Sequence, residues 1–432
     1  MGIQFLNLAS FNDLNCWEMI GKQQLSNWRA RHGTSEKFIF ERLVRGKDRT
    51  QLEATGFACN SAPHSEVCVS NKPVRIDTQT MTVHVPSDRP MPQSQRNVQP
   101  YARKEDETAM KTITPVQILE GSITSPACNY THVVPAVIFS TSGFMGNLFH
   151  EFNEIIIPLF LTTHHFQSHV QFIIVDYDPW FVTKYNRILT HLSPYEFINS
   201  ASNGSVHCFP GIVVGLEYHD NLAINYSDIP GGYSMLDFKQ FLKEAYNLKV
   251  KTLSKIEQPV LMLISRNGSR MFLNEDEMVG MMEELGFRVV VVTPNRMANL
   301  DKFASVVNSC SVMVGAHGAG LANELFLPTG AVMVQVVPWG LEWASNAYFG
   351  EPAQDMGVQY LEYKIEPEES TLIDRYGRDH QVFVDPGAIF AMGYYTARAI
   401  YVDGQNMKIN LVRFRKTLVE ALGFLGHSSP TN

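Results

Sequence analysis

Two arginines, one histidine and a cluster of glycines have the types and spacing to bind an anion. Gly315-Ala-His-Gly-Ala-Gly320 places His317 inside a Gly-x-x-Gly-x-Gly turn, with Gly318, Ala319 and Gly320 closing it, and Ser265-Arg-Asn-Gly-Ser-Arg270 supplies Arg266 and Arg270. Glycines let backbone N–H groups come close to a ligand, and a helix starting there points its positive end at an anion. Guanidinium groups fork onto phosphate oxygens. The spacing differs from the Gly-x-Gly-x-x-Gly of dinucleotide sites, no acidic residue follows in the ribose context, and no Walker lysine is present. A second set, Gly146-Asn147-Leu-Phe-His150-Glu151-Phe-Asn-Glu154, puts Asn147, His150, Glu151 and Glu154 on one helical face, with Phe149, Phe152, Ile155 and Ile156 as apolar cover. A histidine and a glutamate four apart after a glycine turn can supply a general base, and spacing does not choose between Glu154 and His150. A rival set, Asp176-Tyr-Asp178, offers paired carboxylates of the kind that hold Mn²⁺ or Mg²⁺.

The elements that must position these groups alternate between strand and helix. Val133–Phe139 reads as a buried strand leading through Gly143 and Gly146 into a helix from Asn147 to about Phe166. A strand at Phe172–Val175, a helix at about Trp180–Leu192, a strand-like Gly211-Ile-Val-Val and a helix capped by Ser234 follow. After a polar stretch, Lys249–Gln258, the alternation restarts: strand Val260–Ile264, a helix with Asn274 and Glu277 in capping-box positions, strand Phe287–Val292, helix Leu300–Asn308, strand Val312–Val314, the glycine turn, a short helix and strand Ala331–Val337. Unbroken β-branched strands between helices predict parallel sheets covered on both faces. The expectation is α/β: two Rossmann-like domains facing a cleft, at residues 111–255 and 256–400, with an irregular extension over 1–110 and a final helix in 401–432 packing across both. Residues 51–85 have room for a few strands, Arg75–Val85 among them.

At 432 residues with 45% hydrophobic and 18% charged positions, the chain has ample material for real cores. A formal net charge of −8 without a basic stripe argues against nucleic acid as a partner. No apolar run approaches the roughly 20 residues of a bilayer span. Of six cysteines, Cys59 and Cys68 lie in a turn-rich segment where two thiols can close a small loop, the spacing fits no zinc pattern, and Cys310 reads as an inert buried thiol. Sequons at Asn129, Asn203, Asn225 and Asn267 permit a secretory compartment.

Several ordered motifs resemble the signature of glycosyltransferase family 61. They are Gly315-Ala-His-Gly-Ala-Gly-Leu-Ala-Asn323, Phe326-Leu-Pro, Gly330-Ala-Val-Met-Val-Gln335-Val-Val-Pro338, Leu263-Ile-Ser-Arg266, Gly146-Asn-Leu-Phe-His150, Val206-His-Cys-Phe-Pro-Gly211 and Gly231-Gly-Tyr-Ser234, and the similarity covers roughly residues 50–425. Cys59…Cys68, Tyr185-Asn-Arg-Ile-Leu and Asp403-Gly-Gln-Asn-Met are similar to the plant branch, which includes xylan arabinosyl- and xylosyltransferases. The resemblance implies an inverting enzyme of GT-B type, a UDP-sugar donor bound by the C-terminal half through Ser265, Arg266, Arg270, the glycine turn, Asn323, Gln335 and Pro338, a xylan-like acceptor, no metal cofactor, and a Golgi location by an N-terminal span. Transfer of xylose in β-1,2 linkage is the leading expectation and α-1,3-arabinosyl transfer the second. A non-catalytic polysaccharide- or nucleotide-binding protein is the reading from another class, and oligomeric state stays open. Residues 1–30 hold no such span, which reads either as a truncated or alternative start or as a version that would miss the secretory pathway, and Leu-Ala-Asn323 departs from the usual Leu-Thr-Asn.

Overall fold

The computed structural model describes residues 36–427 apart from 87–92, 122–124, 203, 226–231 and 254–257. The Asn203 sequon and the N-terminal residues 1–35 therefore lie outside the described residues.

The first half is built on two sheets. Its strands are Phe57–Ser61 (β1), Glu66–Ser70 (β2), Val74–Asp77 (β3), Thr82–Val85 (β4), Ser94–Val98 (β5), Val116–Glu120 (β6), Tyr130–Thr131 (β7), Ala136–Ser140 (β8), Gln171–Val175 (β9), Ile198–Asn199 (β10), Val206–Phe209 (β11) and Ile212–Val214 (β12). One sheet runs β1-β2-β12-β8-β9-β10, with β12, β8, β9 and β10 parallel and β1–β2 an antiparallel hairpin on its edge. The other runs β5-β6-β4-β3-β11-β7 and is mixed. Side chains alternate across a strand. In β8, accordingly, Ala136 and Ile138 pack toward the second sheet while Val137 and Phe139 face the helices.

This corrects the expectation of a Rossmann-like first half, because a second sheet covers the face on which a doubly wound domain carries helices. It also corrects the irregular 1–110 extension, since β1 to β5 are integral to both sheets. These strands are four or five residues long, and several carry polar residues on one face, such as Arg75, Asp77 and His84. Their partners are distant in sequence, as in Arg75 opposite Cys208. Cys59 pairs with Cys68 across the β1–β2 hairpin, and Cys128 pairs with Cys208, closing a loop of 80 residues that no spacing rule indicated.

The second half follows its pattern closely. Strands Val260–Ile264 (β13), Arg288–Val292 (β14), Val312–Ala316 (β15), Val332–Val337 (β16) and Gln359–Lys364 (β17) form one parallel sheet in the order β14-β13-β15-β16-β17. Leu261, Leu263, Val312 and Val314 face one helical layer while Met262, Ile264 and Met313 face the other. Three helices matter for the site and its support: α1, composed of Leu148–His150, a π-helical turn Glu151–Ile156 and Ile157–Thr163; α2, Met235–Tyr246; and α3, Leu411–Phe424. Ser234 and Asp237 form a full capping box on α2. Asn274 makes no such cap. Its amide instead exchanges hydrogen bonds with the backbone of Ile409, tying the C-terminal segment to the sheet.

Helix α3 packs on β16, β17 and the helix Glu275–Glu284, so it covers one half rather than crossing both. One apolar core runs without interruption between the halves, and in it Phe152 of α1 meets Phe326 at 5.8 Å between ring centroids.

Candidate functional site

In a parallel sheet ordered 2-1-3-4-5 the chain reverses its direction of winding between the first and third strands, and the crevice beyond their carboxyl ends is open to a ligand. Here those strands are β13 and β15. They deliver Ser265-Arg266 and His317-Gly318, which brings the two sequence-predicted loops together. A Cβ on Gly318 would stand 2.6 Å from Arg266 Nη1 and 3.2 Å from Arg270 Nη1, with φ at +150°, so only glycine admits both guanidinium groups. Arg270 has left-handed backbone (φ 55°), anchored by its N–H to the Gln405 carbonyl at 2.7 Å, and its Nη1 donates to the His317 carbonyl at 2.7 Å. Arg266 Nε donates to the Ser269 carbonyl at 3.0 Å.

Neither arginine forms an ion pair with a described residue, and Arg270 Nε is buried without a partner. Burial, then the neighbouring Arg266, pushes Arg270 down to about 10; burial also lowers Arg266. Two desolvated like charges this close are unfavourable until an anion joins them. The helix after the turn, Ala319–Phe326, is 3₁₀ and has no side-chain cap, so its leading N–H groups are left to solvent or ligand.

His317 is buried, and burial followed by the two arginines lowers it to about 3, so the ring is neutral. Its tautomer follows from its neighbours. Tyr360 OH donates to Gln335 Oε1 at 2.9 Å, which turns the Gln335 amide nitrogen toward His317 Nδ1 at 3.1 Å; Ser345 Oγ lies 3.2 Å from the same nitrogen. Nδ1 therefore accepts, and Nε2–H remains as a neutral donor.

On the other half the glycine turn Gly143–Gly146 feeds α1, whose start is capped by Asn147 Oδ1 accepting from the N–H groups of Phe149 and His150. The π-helical turn alters the phase expected of a regular helix. Glu151 and Glu154 are both fully buried but serve different partners. Glu151 accepts from Lys184, from Tyr185 OH at 2.6 Å and from Gly146 N–H at 3.0 Å, which makes it a clamp on the turn rather than a reactive group. Glu154 accepts from Tyr101 OH, from Arg103 Nη1 at 2.7 Å and from His150 Nδ1 at 2.6 Å. Burial first, and Glu154 second, push the Tyr101 phenol far up, so it stays a donor. Both oxygens of the Glu154 carboxylate are thus engaged, Oε1 by Arg103 and His150 and Oε2 by Tyr101. His150 is 21% exposed against 0% for Glu154, and with Nδ1–H committed to the carboxylate its Nε2 carries the lone pair.

The two sets meet through aromatic rings. Phe149 lies 5.2 Å from Tyr348 and 5.6 Å from Phe349, and those rings lie 6.4 Å and 5.5 Å from His317. Tyr348 also sits within electrostatic reach of Arg103 and Glu154. Tyr101, Arg103, Ser345, Tyr348 and Tyr360 carry no spacing signature in the sequence, and Tyr101 and Arg103 lie far along the chain from the groups they meet.

Other expected site residues have structural surroundings. Asn323 is buried, donates to the Gly320 carbonyl at 2.8 Å and leaves Oδ1 unpartnered. Gly315 permits close packing against Leu321 and Ile264, Gln335 acts through His317, and Pro338 is buried at the end of β16. Asp176 accepts from Thr114 Oγ1 at 2.6 Å and Ser140 Oγ at 2.8 Å, while Asp178 caps the helix Pro179–Lys184. Both carboxylates of the rival set are thus used by the fold. Asn129, Asn225 and Asn267 are exposed.

Fold and geometry define an α/β protein with a cationic crevice at a sheet switch point, its two arginines without an ion-pair partner among the described residues, and a histidine–glutamate pair facing it. The sequence profile of Glycosyltransferase 61 matches residues 131–334, which span both sets. The chain is 40% identical over 365 residues to alpha-1,3-arabinosyltransferase XAT3 of Oryza sativa subsp. japonica, covering 83% of this chain and 63% of that protein. It is 38% identical over 336 residues to beta-1,2-xylosyltransferase XYXT1 of the same plant, covering 76% and 72% respectively. Against xylan glycosyltransferase MUCI21 of Arabidopsis thaliana it is 33% identical over 409 residues, 89% of this chain and 83% of the relative. The chain belongs to glycosyltransferase family 61. Among the described residues no helix is long and apolar enough to cross a membrane.

Proposed function

We propose that this chain is an inverting, metal-independent pentosyltransferase that moves a sugar from a UDP donor to a xylan-type acceptor. The observation that carries the reading is the Arg266/Arg270 pair: two desolvated guanidinium groups at the switch point that no described carboxylate ion-pairs suit a diphosphate. On this reading the diphosphate lies against Arg266, Arg270 and the turn N–H groups, and His317 Nε2–H donates to it. These groups stabilise the negative charge that grows as the anomeric carbon–oxygen bond breaks. His150 Nε2 takes the proton of the acceptor hydroxyl as that oxygen bonds to the anomeric carbon from the opposite side, and UDP leaves as the anion. Glu154 keeps the ring oriented and offsets the imidazolium charge.

Relatives named for xylosyl and for arabinosyl transfer stand at comparable identity. We take β-1,2-xylosyl transfer as the first reading and α-1,3-arabinosyl transfer as the second. The two disulfides and the exposed sequons favour an oxidising, lumenal setting such as the Golgi. A panel of UDP-pentoses with xylo-oligosaccharides, run with and without EDTA, tests the proposal. Turnover with UDP-xylose that is unchanged by EDTA and lost in His317→Ala is expected. Near-normal turnover in that folded variant removes the site assignment, and loss of turnover in EDTA removes metal independence.

A further inference from the structure

We infer that Trp343, Tyr394 and Tyr395 form a subsite that stacks the pyranose rings of the acceptor chain outside the reaction centre; this rests on the transferase reading above. The three rings are 74%, 63% and 69% exposed, values unusual for such large apolar groups. Isolated exposed aromatics need no explanation, but these are grouped beside the site. Trp343 lies 5.8 Å from Tyr348, which in turn faces His317. Tyr394 stands 5.5 Å from Tyr395, lies against Arg398, and is within electrostatic reach of both Arg270 and Tyr348.

The ridge has firm support. It stands on a small helical unit with its own core of Leu341, Leu372, Phe383, Ile389 and Tyr401. Gly393, at φ +112°, makes the turn that starts the helix Tyr394–Ala397.

The chemistry selects the occupant. A pyranose presents an apolar C–H face that lies flat on an aromatic ring, with hydroxyls at its rim for neighbouring polar groups. Beside Tyr394 the exposed charges of Arg398 and Asp403 are paired with each other at 3.1 Å, which favours an uncharged, hydroxyl-rich chain over a charged one at that ring. Nucleobase stacking by the donor is the competing use of the same rings.

Trp343→Ala and Tyr394→Ala, checked for unchanged thermal midpoint, are assayed with xylobiose and xylohexaose as acceptors. A rise in KM of about tenfold for the hexamer is expected from the loss of one stacked ring, with the dimer KM and UDP affinity by calorimetry unchanged. Equal effects on both acceptor lengths, no effect on either, or weakened UDP binding would overturn the subsite. Electrophoresis through a xylan-containing gel needs no catalysis. If wild-type protein is retarded and Trp343→Ala is not, the subsite stands even where transfer is undetectable. Equal mobility of the two overturns it whatever the activity.

Discussion

The two sides of the site are built by opposite strategies. The cationic side gathers its groups from two loops that leave adjacent parallel strands, so each short motif lands in the crevice by the topology of the sheet alone. The histidine–glutamate side is assembled at long range: Tyr101 and Arg103 reach Glu154 across 53 and 51 residues of chain. Their electrostatics differ in sign as well. On the first side two desolvated like charges have no ion-pair partner among the described residues, and on the second Glu151 and Glu154 are each answered by a cation. On the proposed reading one side carries an energetic cost that the donor diphosphate would remove, while the other is part of what holds the fold together.

That contrast can be broken by mutation, and the largest effect belongs to the cationic side. Arg270→Met should lower turnover by roughly 10³-fold, as loss of a charge-stabilising donor in a dry site does. Because it also removes an unrelieved buried charge, its urea midpoint should hold or rise. A fall in stability without a loss of turnover would refute the division of labour.

The facing side should behave in reverse. His150→Ala is expected to cost about 10²-fold or more in kcat with little change in donor KM, as removal of a general base does. Glu154→Gln removes the buried charge that accepts from Tyr101, Arg103 and His150, leaves Arg103 with Asp106 at 3.4 Å as its carboxylate partner, and should destabilise the fold by about 2 kcal/mol in chemical denaturation. Should Glu154→Gln be stable and His150→Ala active, the carboxylate rather than the imidazole would be the base.

The smallest expected effect concerns pH. Burial is the leading cause that lowers His317 and His165 to about 3, from an ordinary value near 6.5. The unfolded chain thus binds protons that the folded one refuses. Stability conferred by these neutral rings is present above pH 6.5 and declines as pH falls toward 3, by about 1 kcal/mol for each ring between pH 7 and 5.5. Denaturation at the two pH values checks the slope, and His317→Asn should reduce it by its share.

How much of this was legible in the sequence varies with the range of the contacts. Four strands of the parallel sheet follow from apolar runs between helices, with bounds that agree with the pattern to within one or two residues, whereas the edge strand β17, with its polar and half-exposed residues, was not legible. The glycine turn and the arginine loop were legible for the same reason, since a residue just after a parallel strand must emerge at its carboxyl edge. The helix carrying His150 and Glu154 was legible too, but its π-helical turn was not, because a regular period of 3.6 gave no sign that Glu151 and Glu154 would part company. Least legible was the N-terminal pair of sheets, whose short strands with polar faces have little periodicity and find their partners only in the folded chain.

The sequence by itself thus determined most of the C-terminal α/β half, the glycine and arginine motifs at its switch point and the helix that faces them, because these depend on local periodicity and on groups a few positions apart. Only the tertiary structure decided which groups answer Glu154, that His317 is a neutral Nε2–H donor, that Asp176 and Asp178 are spent on the fold, and that a sheet backs the first half. Each of those depends on distances between residues far apart in the chain, and on burial, which no spacing encodes.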